Sequence, residues 1–567
     1  MTLTGLFVGI VIVATFTIGL FGLRVARTTS DFFVATRAVG PIWNASAISG
    51  EYLSAASFLG IAGLVMKLGA SAMWFPLGYA AGYVTLLLFV AAPLRRFGAY
   101  TIPDFAEGRF GDRGLRHIAA FMVLVIGWFY LVPQMKGAGV TLELLAGTPY
   151  WVGVVAVGAL VIAAVAFGGM KGITYVQAFH FWVKLFAISF SAFVLLFVFG
   201  WGERTPFAEG QVVFPDDTAV RFDRDTEIDV IDEIIVTVDG APAVWQTGVT
   251  SVPAGTEVAF RAGDSVPMAA SLEVRDGTSW TVPFPAGERY GLLGALSLLI
   301  ATVLGTMGLP HILVRFYTNL DAPSARRTAV VILGFVGFFY LFPWLFGAMG
   351  RVWVPELYVT GDTDTVVLAL PQLLDGRLGE FVTALVAAGA FSAFISTSSG
   401  LLISVAGALS HDVYAELWRP EASGRRRLLY FRFAAVLGGL VAIGLGLLAR
   451  PFDINILVGW AFAIAASAFC PLLLLGIWWR RLAARGAAVG MLVGGLSATF
   501  AVLATMLGDY DGLVGALLAQ PAVVTVPLAF AVMIGLSLRA LPPRHADWIL
   551  LRMHLPDRAA YRLLRER

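Results

Sequence analysis

The stretch "ISGEYLSAASFLG", residues 48–60, lies inside an apolar run long enough to cross a bilayer, and its reading decides the fold. It carries a glutamate, a tyrosine, three serines and two glycines. A carboxylate at membrane depth is expensive and marks a functional position by default. Backbone freed by helix-breaking residues is tolerated there only where protein buries it or a cavity receives it. The stretch therefore predicts a membrane helix that is broken on purpose, with a site at the break.

The surrounding composition agrees. The chain has 567 residues, 58% hydrophobic and 13% charged, with a mean hydropathy of +0.82. Soluble domains carry about a quarter charged residues, so this is an integral membrane protein. A net charge of +2 gives no reason to expect nucleic acid as a partner. The single cysteine, Cys470, excludes an internal disulfide framework and a cysteine-based metal site. The six histidines show no metal-ligand spacing. The N-terminal run has no basic n-region and is too long for a signal peptide, so it reads as a retained transmembrane helix.

Apolar runs recur near 4–23, 43–66, 71–94, 117–146, 150–167, 172–200, 290–314, 327–349, 381–408, 428–449, 453–478, 486–508 and 513–538. They predict about thirteen spans. Alternate connections are rich in Arg and Lys, among them Arg95, Arg96, Arg315, Arg326, Arg425–Arg427, Arg480 and the tail. The connections between them are poor in positive charge or acidic, such as "GDTDT" and "GDYDG". Positive-inside topology then puts the N-terminus outside and the C-terminus in the cytoplasm. Residues 202–289 break the pattern. Short alternating runs such as "DEIIVTVDG" and "SLEVRDGTSWTVPF", separated by Gly, Pro and Asp, read as strands and turns. They predict an extracytoplasmic β-rich insertion, a candidate surface for an outside partner. The segment 541–567 reads as a basic cytoplasmic tail.

A second interrupted span, "GTMGLPHIL", mirrors the first. Paired broken helices in two halves of a chain point to a midplane substrate and ion site in a transporter. The ninth span adds "ISTSSG", four consecutive hydroxyls from Ser396 to Ser399. Hydroxyl and carbonyl oxygens suit a hard monovalent cation, whereas helix packing by small residues is the plainer use of the same pattern.

On these residues the sequence resembles the sodium/solute symporter family, and within it the cation/acetate symporter branch. The resemblance rests on "ISGEYLSAASFLG", "YTIPDFAEGRFG" at 100–111, "FGGMKGITYVQ" at 167–177 and "GTMGLPHILVRFYT" at 305–318, with "ISTSSG" then "SHDVY" and "GIWWRRLAARGAAVGMLVG" at 476–494. It covers nearly all of the helical part. It implies an all-α membrane protein with a five-plus-five inverted-repeat core and sodium as coupling ion, without another cofactor. By position, the implied sodium ligands are the carbonyls of Gly50, Leu53 and Ala393 and the hydroxyls of Ser396 and Thr397. Such oxygens of partial charge suit sodium better than magnesium or calcium, which favour carboxylates. The expected division is a peripheral helix and first repeat in 1–201, the insertion in 202–289, the second repeat in 290–478, two peripheral helices in 479–540 and the tail.

The remaining candidates concern substrate and coupling. Ser54 and Ser57 follow the first break, Gln134 and Lys136 lie in "YLVPQMKGAG", and Gly305, Thr306 and Gly308 form the second break. These are the expected substrate contacts. Glu51, Tyr52 and Lys184 are the expected coupling or gating groups. Glu51 needs a partner, and Lys136 and Lys184 are the two candidates. Lys184 has a further possible role beside the sodium site, where an amine can replace or modulate a cation. Arg315 reads as a snorkelling residue at a span end, and His311 as a packed polar residue.

Half-helix N-termini and two buried lysines favour an anionic substrate. The expected function is sodium-coupled symport of a small organic anion, acetate or another short monocarboxylate such as propionate or pyruvate, across the bacterial cytoplasmic membrane. The other readings are proton-coupled monocarboxylate uptake and a transporter-like receptor that senses solute through the outer segment. No nucleophile–base or metal constellation supports an enzyme.

Overall fold

The computed structural model describes residues 2–25, 40–99, 101–200, 211–275, 277–284, 289–418, 423–540 and 545–555. Most of the expected cytoplasmic tail falls outside them.

The helices that position the site are α1 (Leu3–Val25), α2 (Pro41–Tyr52), α3 (Ile61–Leu68), α4 (Trp74–Phe89), α5 (Arg113–Ala146) and α6 (Tyr150–Phe199). After the insertion come α7 (Gly291–Gly308), α8 (Pro310–Phe316), α9 (Gly376–Gly407), α10 (Gly424–Leu447) and α11 (Ile454–Trp478). Burial sorts them into a core and a rim. Only 11% of the Leu3–Leu20 window of α1 is buried, against 94% of α11. Large apolar side chains such as Phe197, Phe500 and Leu507 point outward, as lipid-facing residues must.

Eleven helices among the described residues are long and apolar enough to cross a membrane, or twelve if the bent pair Gly512–Ala519 and Ala522–Leu538 is one span. The expected thirteen differ from this mainly at the first break. There α2 has only 12 residues and fails a length test by itself. α6 runs continuously through two apolar lengths, Tyr150–Gly168 and Gly172–Phe199, where the sequence predicts two spans.

Both predicted breaks are present. α2 ends where Leu53 adopts φ −73°, ψ 85°, outside the helical region. A π-helical turn, Ala56–Gly60, then leads into α3. α7 ends at Gly308, and Leu309 is extended at φ −74°, ψ 115° before Pro310 opens α8. Proline forces this geometry, because it disfavours helix at the preceding residue yet fits a helix's first turn.

The insertion folds as two small antiparallel sheets. Strands β1 (Thr218–Arg221), β2 (Thr226–Val230), β3 (Ile234–Val238), β4 (Ala241–Trp245), β5 (Gly248–Val252), β6 (Glu257–Phe260) and β7 (Met268–Ala269) pair in the orders β1-β6-β3-β4 and β5-β2-β7. Their alternating burial, as in β2, places Ile228 and Val230 inward and Glu227 and Asp229 outward. A short helix, Gly277–Trp280, ends the insertion. Trp280 Nε1 donates to the carbonyls of Val65 (2.8 Å) and Met66 (3.0 Å), and the Arg275 amide donates to Lys67 O (3.1 Å). The insertion thus caps the C-terminus of α3, where carbonyls lack intrahelical partners.

Candidate functional site

α2 and α9 meet at the first break, with α6 behind them. Close approach of α2 to α6 depends on Gly50, where a Cβ would lie 2.1 Å from the Gln177 carbonyl oxygen. Leaving the helix at Leu53 frees carbonyls that side chains then claim. Gly50 O accepts from Ser396 Oγ at 2.7 Å and from Lys184 Nζ at 2.5 Å. Leu53 O also accepts from Lys184 Nζ at 2.5 Å, and the same amine reaches Ser396 Oγ at 3.0 Å. Ser396 Oγ lies 3.2 Å from Ala393 O, and Thr397 Oγ1 donates to Glu51 O at 2.6 Å. These contacts join Gly50 O, Leu53 O, Ala393 O and Ser396 Oγ around the amine of Lys184, while the Thr397 hydroxyl is spent on the neighbouring Glu51 carbonyl.

Glu51 pairs with neither candidate lysine. Its Oε2 accepts from Arg315 Nε at 2.8 Å, and both side chains are 1% exposed. Arg315 also donates to Thr174 Oγ1 (2.6 Å) and to Gln177 Oε1. It is no snorkelling residue: the break between α7 and α8 turns it into the protein, where the Glu51 carboxylate balances its charge. Lys136 is likewise committed elsewhere. It binds Asp364 Oδ2 at 2.9 Å and Phe452 O at 2.5 Å. Asp364 also accepts from the Ile454 amide at 3.0 Å, at the start of α11. Lys136 therefore neutralises a buried carboxylate, a partner that the sequence pattern does not name.

Of the other expected substrate residues, Thr306 and Ser57 contact an aromatic cluster. Tyr52 stacks edge-on with Tyr83, ring centres 4.8 Å apart, and its hydroxyl lies 3.1 Å from Thr306 Oγ1. Ser57 Oγ meets the Tyr340 hydroxyl at 2.8 Å. Tyr130 lies edge-on to His311, centres 5.2 Å apart. Neither ring nitrogen of His311 nor the Tyr83 hydroxyl has a hydrogen-bond partner among the described residues, although both side chains are buried. Ser54 is buried beside them in the same break region. Gln134 has a backbone task, with its Oε1 accepting from the Ala55 amide at 2.9 Å. Gly305 and Gly308 allow α7 to approach α11, since a Cβ would lie 2.5 Å from Phe462 O and 2.4 Å from Ala465 O respectively.

Toward the tail face, the fold assembles a cluster that sequence spacing does not reveal. Asp104, His411 and Asp412 lie within metal-ligand reach of one another. Arg116 occupies the middle, 2.7 Å from Asp104 Oδ1 and 2.7 Å from Asp412 Oδ1, and also contacts Glu107. Its guanidinium already supplies the positive charge, so the group reads as an ion-pair knot between "YTIPDFAEGRFG" and the end of α9's continuation. Outside the spans, Glu356 on the short helix Glu356–Thr360 has its pKa pushed up to about 7 by burial.

Two broken helices facing a hydroxyl-bearing helix, inside a lipid-facing rim, define a multi-pass membrane transporter rather than an enzyme. The sequence profile of the sodium:solute symporter family matches residues 32–261 and 278–494. An uncharacterized symporter from Bacillus subtilis (strain 168), YwcA, is 31% identical over 533 residues, spanning 92% of this chain and 91% of the relative. A Na+-coupled sialic acid symporter, solved substrate-bound and outward-open, superposes with a TM-score of 0.65 at 14% identity, over 96% of this chain and 99% of its own. The chain belongs to the sodium:solute symporter family, whose coupling ion is sodium.

Proposed function

We propose that the chain carries out sodium-coupled symport of a small organic anion, acetate or another short monocarboxylate, by alternating access. The observation that carries this reading is the convergence of Gly50 O, Leu53 O and Ser396 Oγ at a helix break, already engaged by a cationic group. Such a cluster of partial negative charge receives a monovalent cation without a carboxylate ligand. Inward movement of one sodium releases about 2.3 kcal/mol per 100 mV of membrane potential, which is the driving force. Coupling requires that sodium favour the conformation that also binds solute.

For the anion, the support comes from the aromatic cluster. Tyr83 and His311 bring unspent hydrogen-bond capacity to a buried place. A carboxylate accepts only, so hydroxyl and imidazole N–H donors suit it. Lys136 contributes no contact in this reading, being paired to Asp364. The thirteen spans, the inverted halves formed by spans two to six and seven to eleven, the cell-membrane location and the outside N-terminus belong to the same proposal. Uptake of labelled acetate, propionate, pyruvate, proline and glucose into proteoliposomes tests it. Accumulation of a monocarboxylate driven by a sodium gradient is expected. Accumulation that follows a proton gradient alone would refute the sodium assignment, and accumulation of proline or glucose instead would refute the substrate class.

A further inference from the structure

The position of Lys184 adds something to the cation cluster that its oxygens do not. The residue sits on α6 and is 0% exposed. Its amine meets three acceptors, Gly50 O, Leu53 O and Ser396 Oγ, at 2.5, 2.5 and 3.0 Å. An ammonium has three N–H donors, so this set satisfies it completely. The ionisable groups around it are Glu51 on α2, Arg315 on α8 behind that carboxylate, and His180 one turn earlier on α6. Glu51 and Arg315 balance each other. His180 Nε2 is turned toward Thr15 Oγ1 on α1, at 2.9 Å.

A free cation held by the same oxygens would overlap the amine nitrogen. We propose that Lys184 is a tethered competitor for this site, so that its amine and a sodium ion are alternative occupants of the Gly50–Leu53–Ser396 oxygens. The inference rests on reading those oxygens as the cation site. A lysine suits the task, because its charge is a compact point on a flexible four-carbon stem. The tethered ammonium holds α2, α6 and α9 together when the site has no free ion. Sodium enters only as the side chain withdraws, and it then takes over the same three-helix contact. Occupancy by a cation of one kind or the other keeps the freed carbonyls of the break from standing unpaired, which in the membrane interior is costly.

Binding of 22Na+ to the purified chain in lipid nanodiscs, without solute, tests this independently of transport. Lys184→Ala removes the amine and leaves every oxygen in place. The half-saturating sodium concentration is expected to fall by about tenfold or more, and adding Ser396→Ala should reverse that gain. Lys184→Gln, which keeps the length and discards the charge, should move in the same direction if the alanine variant does not fold. Lys184→Arg should bind sodium as weakly as the wild type. Folded Lys184→Ala or Lys184→Gln with unchanged or weaker sodium binding would overturn the competitor. If Ser396→Ala weakens binding in the wild type while removing the amine gains nothing, the cation site stands and the competitor falls. A gain that survives Ser396→Ala would show instead that sodium binds elsewhere, and would sink the site itself.

Discussion

Arg315 is the residue that makes Glu51 tolerable at membrane depth. Both are 1% exposed and 2.8 Å apart. Removing one partner of a buried pair strands the other charge at a cost of about 3–5 kcal/mol, while replacing both together is far milder. Arg315→Met should therefore lower the thermal midpoint in detergent sharply, and Glu51→Gln combined with it should restore most of the loss. Equal destabilisation by the single and double variants would mean that the pair is not what the arginine serves. The carboxylate itself is legible in "ISGEYLS"; its partner is not. Lys136 and Lys184 lie in predicted spans and Arg315 at a span end, so proximity in the sequence pattern favoured the wrong residues. Only the turn at Pro310 rotates Arg315 inward, and that rotation is a tertiary fact.

At the scale of elements, a break must be repaired as well as made. Gln134 of α5 accepts the Ala55 amide at 2.9 Å, at the point where the chain re-enters helix. Gln134→Leu would leave that N–H buried and unpaired, a penalty of about 1–3 kcal/mol. Hydrogen exchange across residues 53–58 should quicken in this variant while the rest of α5 keeps its protection; unchanged exchange there would show that another group holds the amide. A second element-level effect lies on the short helix Glu356–Thr360. Burial raises the folded pKa of Glu356 to about 7 from an ordinary carboxylate value of 4.5. Its neutral form is thus preferred in the folded protein. The associated stability is present below the ordinary value and is lost as pH rises through about 7. Glu356→Gln should flatten the decline of the thermal midpoint across about pH 4.5 to 7. A decline of the same slope in both proteins would assign it to other groups. Breaks are easy to read in a sequence because Gly and Pro announce them. The groups that mend them come from distant helices and carry no local signal.

On the scale of the whole molecule, the insertion is fastened to the helical core at the end of α3. Trp280 is 1% exposed and bonds the Val65 and Met66 carbonyls at the end of α3. Arg351 lies over its ring at 5.4 Å. Trp280→Ala should cost about 3–5 kcal/mol at the contact and release those carbonyls. Limited proteolysis should then cut the insertion faster, with the helical core still intact on chromatography. Cleavage at the wild-type rate would mean that the sheets are held by other contacts. The strands themselves are foreshadowed by alternation in "EIIVTV", as in β3. Their docking onto α3 is not, because it depends on Trp280 and the Arg275 amide meeting carbonyls more than two hundred residues earlier.

The sequence by itself determined the membrane class, the two helix breaks, the hydroxyl run on α9 and the family, because each is written in local composition and spacing. Hydrophobic length, glycine and proline act within a few residues, and so does a motif. The tertiary structure alone decided who pairs with whom: Glu51 with Arg315, Lys136 with Asp364, and Lys184 with oxygens that the family resemblance implies for sodium. Buried charges and freed carbonyls must be satisfied, but by any group within hydrogen-bond reach. Which group that is depends on how the helices pack, and no local pattern records it.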